Sequence, residues 1–228
     1  EGPEDICIKI TVHNRSDETA DLVMIPNLWY RNLWDFGVVN QLPLISKLNL
    51  DQKGFGGVKA SHYRIGDYFL YFDEPDEYLF TNNKTNSERI YNTHNETPFV
   101  KDLFHKAIID DKDLSIFEGV DSGTKFSPYY KRKINAKDQV VFRLKLSQKE
   151  SLNNPFNNKF EEVFQDRITE ANKFYDYFLP KYANHDMANI QRQAFAGMLW
   201  TKQYYNFDVQ QWLNGDKGLP KPPKSRKE

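Results

Sequence analysis

Two neighbouring stretches decide the fold: QVVFRLKLS at 139–147 and KFEEVFQDRITEANKFYDYF at 159–178. In the first, apolar and polar residues alternate, which is the period of a half-buried β-strand. In the second, apolar residues recur at three- and four-residue steps, which is the period of a helix with one apolar face. The polar stretch SLNNPFNN at 151–158 separates them. The change of period predicts a mainly β fold with C-terminal α-helices.

Further short segments with strand-like composition precede this point. They lie at 6–14, 21–32, 58–65, 67–73, 77–82 and 115–120. The separators between them are rich in Asp, Asn, Gly and Pro, which favour turns. One segment, 98–109, has the apolar spacing of a short helix, and GFGG at 54–57 is interpreted as a loop. Many short strands without long intervening helices predict an antiparallel β-sandwich.

Two helices are predicted after this β region. The first has Asn158 as a plausible N-cap and is stopped by Pro180. The second starts near Asn184 and runs to about Tyr204. Its segment AFAGMLW at 194–200 is apolar on nearly all sides, which predicts a helix enclosed by protein.

Polar residues on an enclosed helix need partners, so Arg192 and Gln203 should face hydrogen-bonding neighbours or a polar cavity. The next stretch, FDVQQWLNGD at 207–216, is predicted as a short extended piece that ends in an Asn-Gly turn. The final stretch, KGLPKPPKSRKE at 217–228, is predicted as a solvated tail or loop.

Composition and charge exclude several classes of partner. With 31 basic and 32 acidic residues the net charge is -1, so no nucleic-acid partner is expected. No apolar run approaches the roughly 20 residues of a membrane helix, so no membrane partner is expected. The single Cys7 excludes an internal disulfide framework, and no histidine pair has metal-ligand spacing, so no metal or other cofactor is expected.

The two ends of the chain, EGPED and PKPPKSRKE, predict that it is cut from a longer protein. No signal peptide is visible, which favours a cytoplasmic location. Asn-X-Ser/Thr triplets start at Asn14, Asn83 and Asn95, but such triplets arise by chance and do not indicate secretion.

The positive chemical signal is aromatic. LWYRNLWDFG at 28–37 and MLWTKQYYNFDVQQW at 198–212 each set rings among amides, carboxylates and basic side chains. Sugars stack their C–H faces on rings and hydrogen-bond their hydroxyls to such groups; the alternative is that the rings belong to the core. The carboxylates Asp208 and Asp216 are a weak candidate acid/base pair, and no catalytic residue is assigned. The candidate substrate-binding residues are Trp200, Lys202, Gln203, Tyr204, Tyr205, Asp208 and Trp212.

The segment RQAFAGMLWTKQYYNFDVQQWLNGD at 192–216 resembles the first barrel helix and following loop of glycoside hydrolase family 63 and its mannosylglycerate-hydrolase-like relatives. Five further motifs match in the same order along the chain, although 81–86 reads TNNKTN where the family usually has an acidic-rich form. The five motifs are IPNLWYRNLWDFG at 25–37, YLFTNNKTN at 78–86, TPFVKDLFHKAII at 97–109, SGTKFSPYY at 122–130 and FQDRITEANKFY at 164–175.

The resemblance implies a β-sandwich domain at 1–150, a linker helix at 151–181 and the truncated start of an (α/α)6 catalytic barrel at 182–228. It implies an inverting, exo-acting α-glycosidase that acts on an oligosaccharide or glycoside, with the catalytic acid and base in barrel segments beyond this chain. The implied partners are therefore that substrate and the remaining barrel helices of the same polypeptide. The alternative is a non-catalytic carbohydrate-binding or structural β-sandwich protein.

Overall fold

The computed structural model describes residues 2–35, 37, 39, 41–201, 207–215 and 221–227. It divides the chain into two compact units, Glu1–Pro155 and Phe156–Glu228. The first unit is built mainly of antiparallel strands and the second of helices. The mainly β class with C-terminal helices, predicted from the change of period, is therefore confirmed.

The strands of the first unit form two antiparallel sheets. Their bounds are β1 Ile6–His13, β2 Ala20–Met24, β3 Leu28–Trp29, β4 Leu44–Lys47, β5 Phe55–His62, β6 Gly66–Asp73, β7 Glu77–Thr81, β8 Ser122–Gly123, β9 Lys125–Ile134 and β10 Gln139–Ser147. The larger sheet has the order β1-β10-β6-β5-β4-β8. In the smaller sheet β9 is central, with β2 and β3 along one side and β7 along the other.

The main hydrophobic core takes residues from both sheets. Val58 and Phe72 of the larger sheet share one cluster with Phe80 and Phe126 of the smaller sheet, and all four are fully buried. Aromatic rings supply much of its volume; the rings of Phe80 and Phe126, for example, lie 4.7 Å apart. The alternation of the strands therefore buries one face of each sheet.

Five of the predicted strands are present within a few residues, as β1, β5, β6, β7 and β10. The predicted strand at 21–32 is two strands, β2 and β3, with Pro26 between them. The predicted strand at 115–120 is wrong, because Ser115–Phe117 form a 3-10 turn that buries Phe117 in a second core cluster.

The prediction of a loop at GFGG is wrong for its last three residues, which begin β5. Gly56 pairs with Phe72 in β6, and both Gly56 and Gly57 are buried. A Cβ atom at Gly56 would lie 2.3 Å from the Tyr78 hydroxyl oxygen and 2.5 Å from the Phe72 ring. The glycines therefore allow close packing inside a strand and do not mark a turn.

The sequence patterns did not predict β4, β8 or β9. The largest omission is β9, the centre of the smaller sheet. Its sequence lacks the usual pattern of a strand, because it contains Pro128 and the basic run at 131–133. Pro128 is buried and pairs with Tyr78 of β7. On the other side of β9, the partner changes at this point from β3 to β2, so the missing N–H of proline is tolerated there.

Two short helices connect the sheets, α1 at Ser87–Tyr91 and α2 at Leu103–His105. A π-helical turn, Lys106–Asp110, continues α2, so the short helix predicted at 98–109 is present over its second half. Leu103, Phe104 and Ala107 are buried against Leu79 and Tyr129 of the smaller sheet. Segment 98–110 thereby covers the outer face of that sheet.

The second unit contains α3 at Asn158–Phe178, α4 at His185–Trp200 and α5 at Val209–Asn214. The cap of α3 is Asn157 and not Asn158, and its side chain accepts from Lys159 N. The start of α4 is confirmed, since Asn184 accepts from Met187 N. The extended piece predicted after α4 is wrong: Asp208 caps α5 instead, because its carboxylate accepts from Gln211 N at 3.0 Å.

Within the described part of the chain the second helix is not enclosed, because none of α4 is buried. Helix α3 covers one side of it, through ring contacts of Tyr175 and Phe178 with Phe195. Met198 and Trp200 remain 72% and 88% exposed. Apolar composition alone did not decide burial, because burial also requires a second surface to pack against.

Candidate functional site

The described members of the predicted substrate-binding set lie at the C-terminal end of α4 and on α5 with its cap. Trp200 is the last residue of α4 and makes no ring contact within the described part of the chain. Asp208 and Trp212 belong to α5 and its cap. The other members of the predicted set are outside the described residues, as is Asp216: Lys202, Gln203, Tyr204 and Tyr205.

Trp212 has a defined environment. The Phe207 ring lies 6.2 Å away, and the Arg226 guanidinium lies 4.7 Å from the centre of the Trp212 ring. Arg226 also donates to the Trp212 carbonyl oxygen at 3.0 Å, and Lys227 donates to Asn214 at 2.9 Å. Residues 221–227 are mostly exposed, as a solvated tail or loop would be, and two of their cations contact the C-terminal end of α5, where its dipole favours them.

Arg192 lies on α4 and contacts α3. Its guanidinium donates to Asn172 Oδ1 at 2.6 Å and lies 4.7 Å from the Tyr175 ring centre. It therefore has the hydrogen-bonding neighbour that the sequence demanded, although the side chain is exposed and not buried. Gln203, the second member of the predicted polar stripe, lies outside the described residues.

The first aromatic segment divides between core and surface. Tyr30 packs against the main core and stacks on the His62 ring at 5.1 Å. Burial raises the pKa of the Tyr30 phenol to about 12, and the nearby charge of Asp67 adds to the shift. Trp29 on β3 is 54% exposed, whereas Phe36 lies outside the described residues.

A network of amides holds the loop that follows Trp29. Asn83 donates to the Tyr30 carbonyl oxygen at 2.7 Å, and Asn32 donates to the Asn83 carbonyl oxygen at 3.0 Å and to Asp35 at 2.6 Å. Thr124 completes the network, since its hydroxyl accepts from Asn83 N and its carbonyl accepts from Tyr30 N. These bonds fix the exit of β3 relative to β7 and β9. The sequence signal for the network was the asparagine density of TNNKTN.

A polar cavity of about 220 Å³ lies between α1 and α2. Its wall includes Asn86, Arg89, Asn95 and Asp102. Asn86 and Arg89 both donate to the Asp102 carboxylate, and Asn95 donates to Asn86 Oδ1 at 2.9 Å. The network satisfies these groups internally, which indicates a structural role for them.

Lys125 is the residue of this region whose environment departs most from that of a surface lysine. Its ammonium donates to the Lys101 carbonyl oxygen at 2.6 Å and lies 4.7 Å from the Phe104 ring centre. Burial lowers the pKa of Lys125, against the opposing effect of the Asp102 carboxylate. Sequence patterns did not identify this lysine, because its partners come from a distant segment.

The described residues contain no group of three or more His, Cys, Asp or Glu side chains that could hold a metal ion. Among the described helices, none combines the length and the apolar character that crossing a membrane requires.

No protein-family model matches the chain. The chain is similar to the uncharacterized protein YMR196W of Saccharomyces cerevisiae, with 29% identity over 261 residues. The match covers 99% of this chain and 24% of the yeast protein. The chain thus spans about a quarter of the length of the relative that it matches.

Proposed function

We propose that the chain is the N-terminal part of an inverting, exo-acting α-glycosidase. In this proposal the two sheets of the first unit form a β-sandwich, α3 is the linker helix, and α4 and α5 open an (α/α)6 barrel. Six ordered sequence motifs that resemble glycoside hydrolase family 63 support it. The order of elements, antiparallel strands followed by helices, is compatible with it.

The observation that carries the proposal is the exposed apolar surface of α4. Ile190, Met198 and Leu199 are 61%, 72% and 58% exposed. Burying a side chain of this kind stabilises a protein by about 1.5–3 kcal/mol, so a helix this apolar is expected to pack against further elements. Neighbouring barrel helices of a longer polypeptide are the occupants we propose. The yeast relative has room for such helices, because the match covers 24% of it.

In an inverting glycosidase, one carboxylic acid protonates the leaving oxygen and a second carboxylate activates water, with about 6.5–9.5 Å between them. Asp208 serves as a helix cap, and no catalytic residue of this chain is proposed. The contribution that we propose for this chain is one wall of the sugar pocket, formed by the end of α4 and by α5. Trp200 and Trp212 would supply apolar ring faces there.

The test uses the complete polypeptide that contains these residues. Aryl α-glucosides and α-linked gluco-oligosaccharides are incubated with it, and the anomeric protons of the released sugar are followed by NMR. We expect release from the chain end with the β-anomer appearing first, and no turnover by residues 1–228 alone. The absence of hydrolysis, or first release of the α-anomer, would contradict the proposed reaction. Binding of the sugars without hydrolysis would favour the non-catalytic carbohydrate-binding alternative.

The proposed pocket wall has its own test in the same polypeptide. We expect Gln203→Ala and Trp212→Ala each to lower kcat/KM by an amount equivalent to about 2–4 kcal/mol, with little change in Tm. Tyr182→Ala is the matched control, because it also removes an exposed ring of the second unit, and it should keep the normal rate. Lower melting temperatures with normal rates in the folded fraction would instead make Gln203 and Trp212 structural.

A further inference from the structure

We infer that Trp29 and Lys125 form a carbohydrate-contact subsite on the outer face of the smaller sheet. The inference rests on the proposed function only for the class of ligand, an α-linked gluco-oligosaccharide. The subsite lies wholly within the first unit, Glu1–Pro155. It requires no residue of α4 or α5.

Strand pairing places the two residues side by side. Trp29 of β3 pairs with Lys125 of β9, and Lys125 pairs on its other side with Thr81 of β7. Directly paired residues have Cβ atoms about 4.5–5.5 Å apart and point to the same face. The next row along the sheet contains Phe126 and Phe80, which point into the core. The Trp29 row therefore faces away from the core.

Segment 98–110, which covers the outer face of the smaller sheet, leaves Trp29 exposed. Thr81 is buried and donates to the Val100 carbonyl oxygen at 3.0 Å. Lys125, which pairs with Thr81 across the sheet, is half-buried beside Lys101 and Phe104. Trp29 comes last, and in the described structure its ring has no aromatic or cationic partner. An exposed ring thus lies on the strand next to a half-buried lysine, whose ammonium contacts Lys101 and Phe104.

The ammonium retains hydrogen-bonding capacity. It has three N–H donors, and the Lys101 carbonyl oxygen is the one acceptor found for it among the described residues. Desolvating a cation is costly unless its donors are used, and burial already lowers the Lys125 pKa. A hydroxyl group held over Trp29 would supply the missing acceptor. Arg31, exposed and without a partner in the described structure, lies two residues from Trp29 and offers further donors.

The backbone next to Trp29 is held in place by hydrogen bonds. The carbonyl and N–H of Tyr30, the residue after Trp29, are held by Asn83 and Thr124. A backbone that is already held loses little conformational entropy on binding. A sugar ring fits its chemistry, because an apolar C–H face lies on the indole while the hydroxyls reach the ammonium.

The test measures binding of maltotetraose to the 228-residue chain by calorimetry, with glucose 1-phosphate as the anionic probe. We expect Trp29→Ala to weaken maltotetraose binding at least tenfold, Trp29→Phe to weaken it less, and Lys125→Met to weaken it several-fold. Tyr91→Ala is the matched control and should bind normally, because Tyr91 is a 65% exposed ring of the same unit without a ring partner. Circular dichroism establishes that each variant is folded.

The proposal is overturned if the wild-type chain does not bind maltotetraose, if Trp29→Ala binds it normally, or if Tyr91→Ala loses as much affinity. Binding of glucose 1-phosphate alone would overturn the assignment to a neutral sugar. Turnover by the complete polypeptide is measured separately. Normal hydrolysis with no effect of Trp29→Ala on binding would remove the subsite and leave the proposed function standing. Weaker maltotetraose binding by Trp29→Ala, with no hydrolysis by the complete polypeptide, would remove the proposed function and leave the subsite standing.

Discussion

Single asparagine side chains join distant parts of this fold. The Asn14 amide nitrogen donates to the carbonyl oxygens of Glu18, Ile134 and Asn135 at 2.7, 2.9 and 3.0 Å. Its amide oxygen accepts from both the backbone N and the hydroxyl of Ser16. The side-chain nitrogens of Asn83 and Asn95 also donate within the fold. These triplets thus have structural roles that their sequence pattern does not reveal.

Replacing Asn14 should destabilise the first unit. Asn14→Ala removes five hydrogen bonds, of which two link the β1–β2 turn to the end of β9 and three lie within that turn, and we expect a loss of about 2–3 kcal/mol in the free energy of unfolding. Urea unfolding followed by circular dichroism measures it. Asn27→Ala is the control, since Asn27 makes one local bond to Ile25, and should change stability by less than about 1 kcal/mol. If Asn14→Ala and Asn27→Ala lowered the free energy of unfolding equally, the hydrogen bonds of Asn14 would not contribute more than a local bond does.

The raised pKa of Tyr30 predicts how the free energy of unfolding changes at alkaline pH. Its pKa is raised from 10.0 in the unfolded chain to about 12 in the fold, so the native state retains a proton that the unfolded state loses. The stability from this group is fully present below about pH 10 and is lost as the pH rises towards 12. We expect Tyr30→Phe to flatten the decline of the urea midpoint across that range, while Tyr177→Phe, at an exposed ring, keeps the wild-type slope. An unchanged slope in Tyr30→Phe would contradict the assignment.

At the scale of elements, two glycines show opposite requirements. Gly123 in β8 lies so close to β7 that a Cβ atom would be 2.3 Å from the Thr81 carbonyl oxygen. Gly197 in α4 has no atom within 4 Å of where its Cβ would be. A glycine in a helix interior costs about 0.5–1 kcal/mol relative to alanine, because its backbone is more flexible in the unfolded chain.

Alanine should therefore act in opposite directions at these two glycines. We expect Gly123→Ala to destabilise the first unit by about 1–3 kcal/mol, because the Thr81 backbone must move. We expect Gly197→Ala to increase the stability of the 228-residue chain by about 0.5–1 kcal/mol. Thermal unfolding of both variants measures the signs. Destabilisation by Gly197→Ala would mean that α4 packs more closely in solution than its exposed surface indicates.

At the scale of the whole molecule, the chain consists of two compact units joined after Pro155. Residues 151–154 precede this junction in an exposed, irregular stretch, apart from a half-buried Leu152. Asn153 contributes one hydrogen bond, as acceptor from Gln52 at 3.0 Å. Few interactions therefore hold the backbone that connects the units.

Limited proteolysis should first cut the chain within 151–158. Exposed backbone with few hydrogen bonds is cleaved before backbone inside a sheet. We expect two fragments of unequal size, identified by mass spectrometry, with the strands at 58–82 resistant under the same conditions. First cleavage inside 58–82 would contradict the pairing of β5, β6 and β7.

The elements with a regular local pattern were predictable from the sequence, because such patterns depend on neighbouring residues. Alternation gave β1, β6 and β10, and the three- and four-residue repeat gave α3. Asn184 predicted the start of α4, and Pro180 predicted the end of α3, because caps and prolines act on backbone groups within one helical turn.

The tertiary structure decided the features that depend on contacts between distant segments. Strand β9 forms around Pro128 because partners on both sides satisfy its backbone, and Gly56 lies in a strand because Tyr78 fills the space beside it. The sequence included Trp29 in an aromatic segment with possible sugar-stacking rings, but only the pairing of β3 with β9 places it next to Lys125. Such juxtapositions arise from sheet register, which local sequence patterns do not contain.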